Sequence, residues 1–172
     1  MDKLHRNNLQ NPVVDTFTDI YKMLSNNQDS DAFKTMEQIC VENGFTTEKH
    51  TVTTSDGYIL NVWRIPGKLS DQTATPGAPI LMVHASGCDM YQWVYNTPDK
   101  APAFTLSNAG YDVWMLNGRG TRWSREHSDP NISEFDYWQY EWETMGTKDE
   151  TAVIDYILNN TGAKQLSLVG HS

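Results

Sequence analysis

Three short, predominantly apolar runs restrict this chain more than any other feature: Ile80 to Val83, Tyr111 to Leu116 and Gln165 to Val169. Each is too short for a helix and is bounded by turn residues. Each therefore reads as a strand buried on both faces of a parallel sheet. Helical segments separate them. Ala101 to Asn108 fills the first gap, with Pro102 tolerated in its first turn and Gly110 just past its end. The second gap ends in a helix that Thr147-Lys148-Asp149-Glu150 opens as a capping box and Gly162 closes, with Ala152, Val153, Tyr156 and Ile157 as its buried stripe. Strand, crossover helix, parallel strand is the signature of an α/β fold.

A hairpin precedes these runs. Lys49 to Thr54 is rich in Thr and Val, Ser55-Asp56-Gly57 is a turn signal, and Tyr58 to Ile65 pairs back. The expected sheet is thus antiparallel at one edge and parallel within. A helix from Ala32 to Glu42, with Phe33, Met36, Ile39 and Cys40 on one face and Gly44 beyond its end, covers part of it. Residues 1–31 read as an appendage: a short amphipathic helix carrying Val13, Phe17, Ile20, Tyr21 and Leu24, then the polar linker Ser25 to Asp31. Residues 32–172 form the main domain.

Composition removes several function classes. The formal charge of −9 and pI near 4.8 disfavour nucleic acid as a partner, because phosphate binding needs a basic surface. The two cysteines, Cys40 and Cys88, imply no disulfide framework, and both read as buried free thiols. The scattered His and Cys residues lack zinc-site spacing, so neither a metal nor another cofactor is expected. Asn117-Gly118-Arg119-Gly120 lacks the ending of a phosphate loop. No transmembrane span is visible, and the polar stretch Met1 to Asn11 shows no signal-peptide pattern. The compartment stays open.

In α/β sheets the reactive groups collect outside the carboxyl ends of the strands. There the last strand runs into Gly170-His171-Ser172, the front half of a Gly-x-Ser-x-Gly nucleophile elbow. Crowding around the serine backbone is the expected reason for small residues in such a turn. Ser172 reads either as a serine nucleophile or as a hydroxyl of no consequence. His84-Ala85-Ser86-Gly87, after the third strand, is placed to supply one backbone N–H to an oxyanion hole; the second belongs to the residue after the nucleophile. Neither His84 nor His171 suits the base. His84 is expected to hold the oxyanion loop by hydrogen bonds, and His171 to point away. His5, His50 and His127 read as solvated or satisfied histidines, and Asp149 and Asp155 as cap and surface charges.

Several motifs, in order and at matching separations, then resemble one family. They are Gly44-Phe45 through Asp56-Gly57-Tyr58-Ile59-Leu60 to Arg64-Ile65-Pro66, and the spacing of His84 to Trp93. Ala109 to Trp114, Asn117 to His127, Phe135 to Tyr156 and finally Gly170-His171-Ser172 complete the series. From about Ile39 to Ser172 the chain resembles the acid lipases, the α/β-hydrolase group of lysosomal acid lipase and gastric lipase. The resemblance implies the amino-terminal half of an α/β-hydrolase sheet, reaching as far as the nucleophile strand. It implies Ser172 as nucleophile and the Ser86 N–H as oxyanion donor, with His84, Gly170 and His171 in support. It also implies a neutral lipid ester as substrate, triacylglycerol or steryl ester, met at a lipid–water interface. Family members act in lysosomes or the gut lumen, and carry the triad acid and histidine after the serine. Two departures stand out. Ala85 replaces a glycine, placing a Cβ where unusual backbone angles are often needed. Ser86 and Gly87 replace two leucines, making the mouth of the acyl pocket more polar.

Two further expectations follow. Without the later acid and histidine, these 172 residues alone would not hydrolyse esters at a lipase-like rate, and a non-catalytic binding or interaction module is the rival reading. The last strand, unpaired on its outer side, would promote self-association.

Overall fold

The computed structural model of the chain describes residues 34–172, so the helix and linker expected within 1–31 lie outside the described residues. Helix α1 (Met36–Glu42) starts later than its apolar pattern suggested. Thr35 caps it, its hydroxyl taking the Gln38 N–H while the Gln38 side chain takes the Thr35 N–H. This reciprocal capping box satisfies two otherwise orphaned donors, which sets the helix start at Met36.

Strands β1 (Glu48–Thr53) and β2 (Tyr58–Ile65) form the antiparallel hairpin, with Val52 opposite Leu60. Gly57 closes its turn at φ +97°, and a Cβ there would meet the Ser128 hydroxyl at 2.6 Å. Next come β3 (Pro79–Val83), a 3₁₀ turn (Met90–Trp93), helix α2 (Pro102–Asn108) and β4 (Asp112–Leu116). The two-residue strand β5 (Glu126–His127) pairs with β2, and α3 (Glu134–Tyr137) follows. Helical structure then runs without a break through α4 (Trp142–Thr144), a π-helical stretch (Met145–Glu150) and α5 (Thr151–Thr161). Strand β6 (Ser167–Gly170) completes the sheet.

The sheet order is β1-β2-β4-β3-β6, antiparallel between β2 and β4 and parallel on both sides of β3. Side-chain alternation divides the apolar residues cleanly. Trp63, Ile65, Ile80, Met82, Val113 and Met115 pack with α1, the 3₁₀ turn and α2 on one face. Leu60, Val62, Leu81, Trp114 and Leu116 pack with Val153 and Ile157 of α5 on the other. Each fully buried Leu, Ile or Met contributes roughly 1.5–3 kcal/mol, so the two faces together commit the register.

From β3 the chain crosses by α2 to β4 on one side, then returns by α5 to β6 on the other. The strand order therefore reverses at β3, and a crevice opens outside the carboxyl ends at that point. Strand β6 forms the edge, where Leu168 and Val169 remain 48% and 37% exposed. Among the described residues, no helix is long and apolar enough to cross a membrane.

Candidate active site

Loops from three strands converge on the crevice: 84–89 after β3, 117–124 after β4, and 171–172 after β6. They enclose a cleft of ≈ 1220 Å³ whose walls include Ser86, Gly87, Trp142, Met145, His171 and Ser172.

Ser172 arrives there by strand pairing. Gly170 sits beside Val83, and the His171 N–H donates to the Val83 carbonyl at 3.1 Å, carrying the ladder one residue beyond β6. The backbone then turns sharply. Ser172 has φ +51°, the one non-glycine with positive φ among the described residues. For an L-residue this conformation costs roughly 1–2 kcal/mol. The nucleophile elbow imposes the same kind of strain, holding the serine hydroxyl at the top of the sheet. A Cβ at Gly170 would meet nothing within 4 Å among the described residues. The His171 ring lies edge-on to Trp93, centroids 6.4 Å apart. Among the described residues, no histidine or carboxylate accepts a hydrogen bond from the Ser172 hydroxyl.

The loop after β3 is held from two sides. His84 Nδ1 lies 2.9 Å from the Ala85 carbonyl, and its Nε2 accepts the Gly118 N–H at 3.0 Å. A carbonyl can only accept and an N–H can only donate, so the neutral Nδ1–H tautomer is selected. His84 thus joins the loops after β3 and β4. The Ala85 carbonyl also accepts from the Cys88 N–H at 3.0 Å, closing a tight turn in which Gly87 adopts φ +73°. Among the described residues the Ser86 N–H has no acceptor, and Ser86 faces the cleft. Ala85 is not strained. Its φ is not positive and its methyl is buried, so the left-handed step falls on Gly87 instead.

The floor beneath the second loop holds a polar cluster that pattern reading missed. Arg119, fully buried, donates from Nε and Nη2 to Asp149 Oδ1 at 2.8 and 2.6 Å. Its backbone N–H donates to Asp149 Oδ2 at 3.1 Å, while Nη1 and Nη2 reach the two oxygens of Asp56 at 2.9 and 3.1 Å. The guanidinium also sits 3.8 Å over the Tyr58 ring. Burial opposes the Arg119 charge, but the bonds to Asp149 and Asp56 outweigh it and raise its pKa further. Burial likewise pushes the Asp149 carboxyl up, against the pull of Arg119. At Asp56, which is more exposed, the Arg119 bonds prevail and hold the carboxyl below its ordinary value.

Asp149 is therefore no surface or capping charge. Nor do residues 147–150 open a helix: the Thr147 hydroxyl donates to the Glu143 carbonyl, because the helix has already begun at Trp142. The π-helical stretch between α4 and α5 carries Asp149 under the cleft; such insertions frequently mark functional sites. Cys88 also differs from expectation. It is exposed at the cleft, while Cys40 is buried. His50 and His127 are satisfied, the first by Tyr156 and Glu48, the second by the Asp56 carbonyl, and Asp155 is a surface charge. Among the described residues no cluster of His, Cys, Asp and Glu could hold a metal ion.

Residues 36–97 match the family model described as a partial α/β-hydrolase lipase region. Human lipase member N is 37% identical over 150 residues, 87% of this chain and 38% of that protein. Rat lysosomal acid lipase/cholesteryl ester hydrolase is 39% identical over 147 residues, 84% of this chain and 36% of that protein. The chain thus spans less than two-fifths of the length of these relatives. Among solved structures, an esterase of Pyrococcus furiosus aligns with TM-score 0.54 at 15% identity, covering 80% of this chain and 42% of that one. That likeness shows the α/β-hydrolase fold.

Proposed function

We propose that this chain, which belongs to the acid lipase family of α/β-hydrolases, is the amino-terminal part of a serine lipase acting on carboxylic esters of neutral lipids. Triacylglycerols or steryl esters, met at a lipid–water interface, are the proposed substrates. The described part of residues 32–172 is read as the partial lipase domain. The observation that carries this reading is the left-handed Ser172 at the end of β6, lining the same cleft as Ser86, whose N–H has no acceptor among the described residues.

In this reading Ser172 Oγ attacks the ester carbonyl carbon, and the carbonyl π electrons move onto oxygen. The Ser86 N–H stabilises that oxyanion. Collapse of the tetrahedral intermediate expels the alcohol and leaves an acyl-serine, which water then hydrolyses. Gly170 and His171 lead the chain into the elbow, and His84 supports the oxyanion loop. The base that takes the Ser172 proton, and the acid that orients it, come from family residues following the serine. These 172 residues alone are accordingly inactive, since loss of the triad base removes several orders of magnitude of rate.

Fluorophosphonate labelling of the full-length protein tests the assignment. Modification of Ser172, abolished in Ser172→Ala, is expected; an unlabelled Ser172 in a folded preparation refutes it. The rival reading, a non-catalytic interaction module, draws on the exposed apolar residues of β6 and on Ser172 having no hydrogen-bonded base among the described residues. It predicts neither labelling nor Ser172-dependent ester turnover in the full-length protein.

A further inference from the structure

From the bonding of the loop after β3 we infer that Gln92 is a positioning residue, aiming the Ser86 N–H by fixing the peptide groups on either side of Ala85. This inference rests on the proposed serine-lipase reading. Gln92 Oε1 accepts the Ala85 N–H at 3.1 Å, which pins the peptide joining His84 to Ala85. The next peptide is pinned through its carbonyl, since Ala85 O faces both His84 Nδ1 at 2.9 Å and the Cys88 N–H at 3.0 Å. A trans peptide is planar, with its C=O and N–H pointing in opposite directions. Holding the Ala85 carbonyl toward the His84 ring therefore turns the Ser86 N–H away from that ring.

Gln92 can act as such a post because its own backbone is anchored. It lies in the 3₁₀ turn Met90–Trp93, which Asp89 caps by accepting the Tyr91 N–H at 3.0 Å. The Met90 N–H donates to Asn117 Oδ1 at 3.1 Å, tying the same turn to the end of β4. The Gln92 N–H closes onto the Asp89 carbonyl at 3.2 Å. The Gln92 side chain thus holds the 84–88 loop from a separate element, the 3₁₀ turn. Ser86 and Gly87 bring little packing of their own to keep the loop still, and both are exposed in the cleft. Hydrogen bonds must set the loop's aim in place of packing.

The test uses the full-length protein with Gln92→Met, which keeps the side-chain length without the acceptor, and Gln92→Glu, which keeps an acceptor oxygen at the same reach. Losing an oxyanion donor outright costs ~100- to 1,000-fold, so a mis-aimed donor is expected to cost about 10- to 100-fold in kcat on a short-chain p-nitrophenyl ester. KM should move less than about threefold. Gln92→Glu should recover most of the loss, and both variants should melt like the parent. Amide exchange at Ala85 is read in parallel, with protection in the parent that Gln92→Met removes. If the parent shows Ser172-dependent turnover and Gln92→Met retains its kcat, the positioning role is overturned. Equal losses in both variants with a lowered melting temperature also overturn it, by reducing Gln92 to a structural role. A parent without Ser172-dependent turnover refutes the lipase reading and with it the catalytic role, while Ala85 exchange still reports whether the clamp exists.

Discussion

Replacing Asp149 by Asn should destabilise the fold by about 3–4 kcal/mol, far more than the same change at Asp56. Both carboxylates bond Arg119, but Asp149 is buried with it, whereas the Asp56 side chain is about one-third exposed. An Asn at 149 keeps a single acceptor oxygen. If that oxygen stays on the guanidinium, the new amide NH₂ faces the Arg119 backbone N–H, leaving a buried donor unpaired at roughly 1–3 kcal/mol. The guanidinium bonds also lose their charge assistance, worth about 1 kcal/mol each. The total falls in the lower half of the ~3–5 kcal/mol seen for breaking a buried pair, because Asp56 still neutralises Arg119. At Asp56 water can replace what is lost, and about 1 kcal/mol is expected. Urea unfolding followed by tryptophan fluorescence reads the difference. With a slope of about 2 kcal/mol/M the midpoint should fall by roughly 1.5–2 M for Asp149→Asn and about 0.5 M for Asp56→Asn. Arg119→Met/Asp149→Leu, which removes the buried charges together, should regain much of the loss. Equal midpoints for the two single variants would refute the reasoning, since deeper burial and the Arg119 backbone N–H bond set Asp149 apart from Asp56.

Other outcomes follow from the same structure. Burial pushes the Cys40 thiol up to about 12, so a thiol reagent at neutral pH should modify Cys88 in the native protein and Cys40 only on unfolding, as mass spectrometry would report. Asp56 is held below its ordinary 3.8, so its contribution is complete above about pH 5 and is lost as pH falls through the folded value; Asp56→Asn should flatten the fall in unfolding free energy below about pH 5. The purified 172-residue chain should dimerise or aggregate through β6, and Leu168→Lys should shift it toward monomer; a sharp monomeric peak for the parent at micromolar concentration in size-exclusion chromatography would exclude this. On p-nitrophenyl butyrate the same chain should show no turnover above that of its Ser172→Ala variant; Ser172-dependent turnover near 1 s⁻¹, within the ordinary enzyme range of roughly 1–10³ s⁻¹, would reveal a base within these residues.

Much of the framework was legible in the sequence because it depends on neighbours along the chain. Alternation within Tyr58–Ile65, Ile80–Val83 and Tyr111–Leu116 already separates the two core faces, since a strand's side chains alternate whatever its partners are. The hairpin turn at Ser55-Asp56-Gly57, and the helix closing at Gly162 in a left-handed residue, are likewise local chemistry. Tertiary structure decided what local chemistry leaves open. The capping-box letters at 147–150 form no cap, because Trp142 to Glu150 had already become helical and a cap needs a free helix start. Asp149 leaves the surface because Arg119, thirty residues away, and Asp56, sixty-three residues from that arginine, meet it under the cleft. Nothing in the spacing of three common charged residues announces such a meeting. Only the packed sheet, reversing its strand order at β3, brings the loops after β3, β4 and β6 close enough for Ser86 and Ser172 to line one cleft.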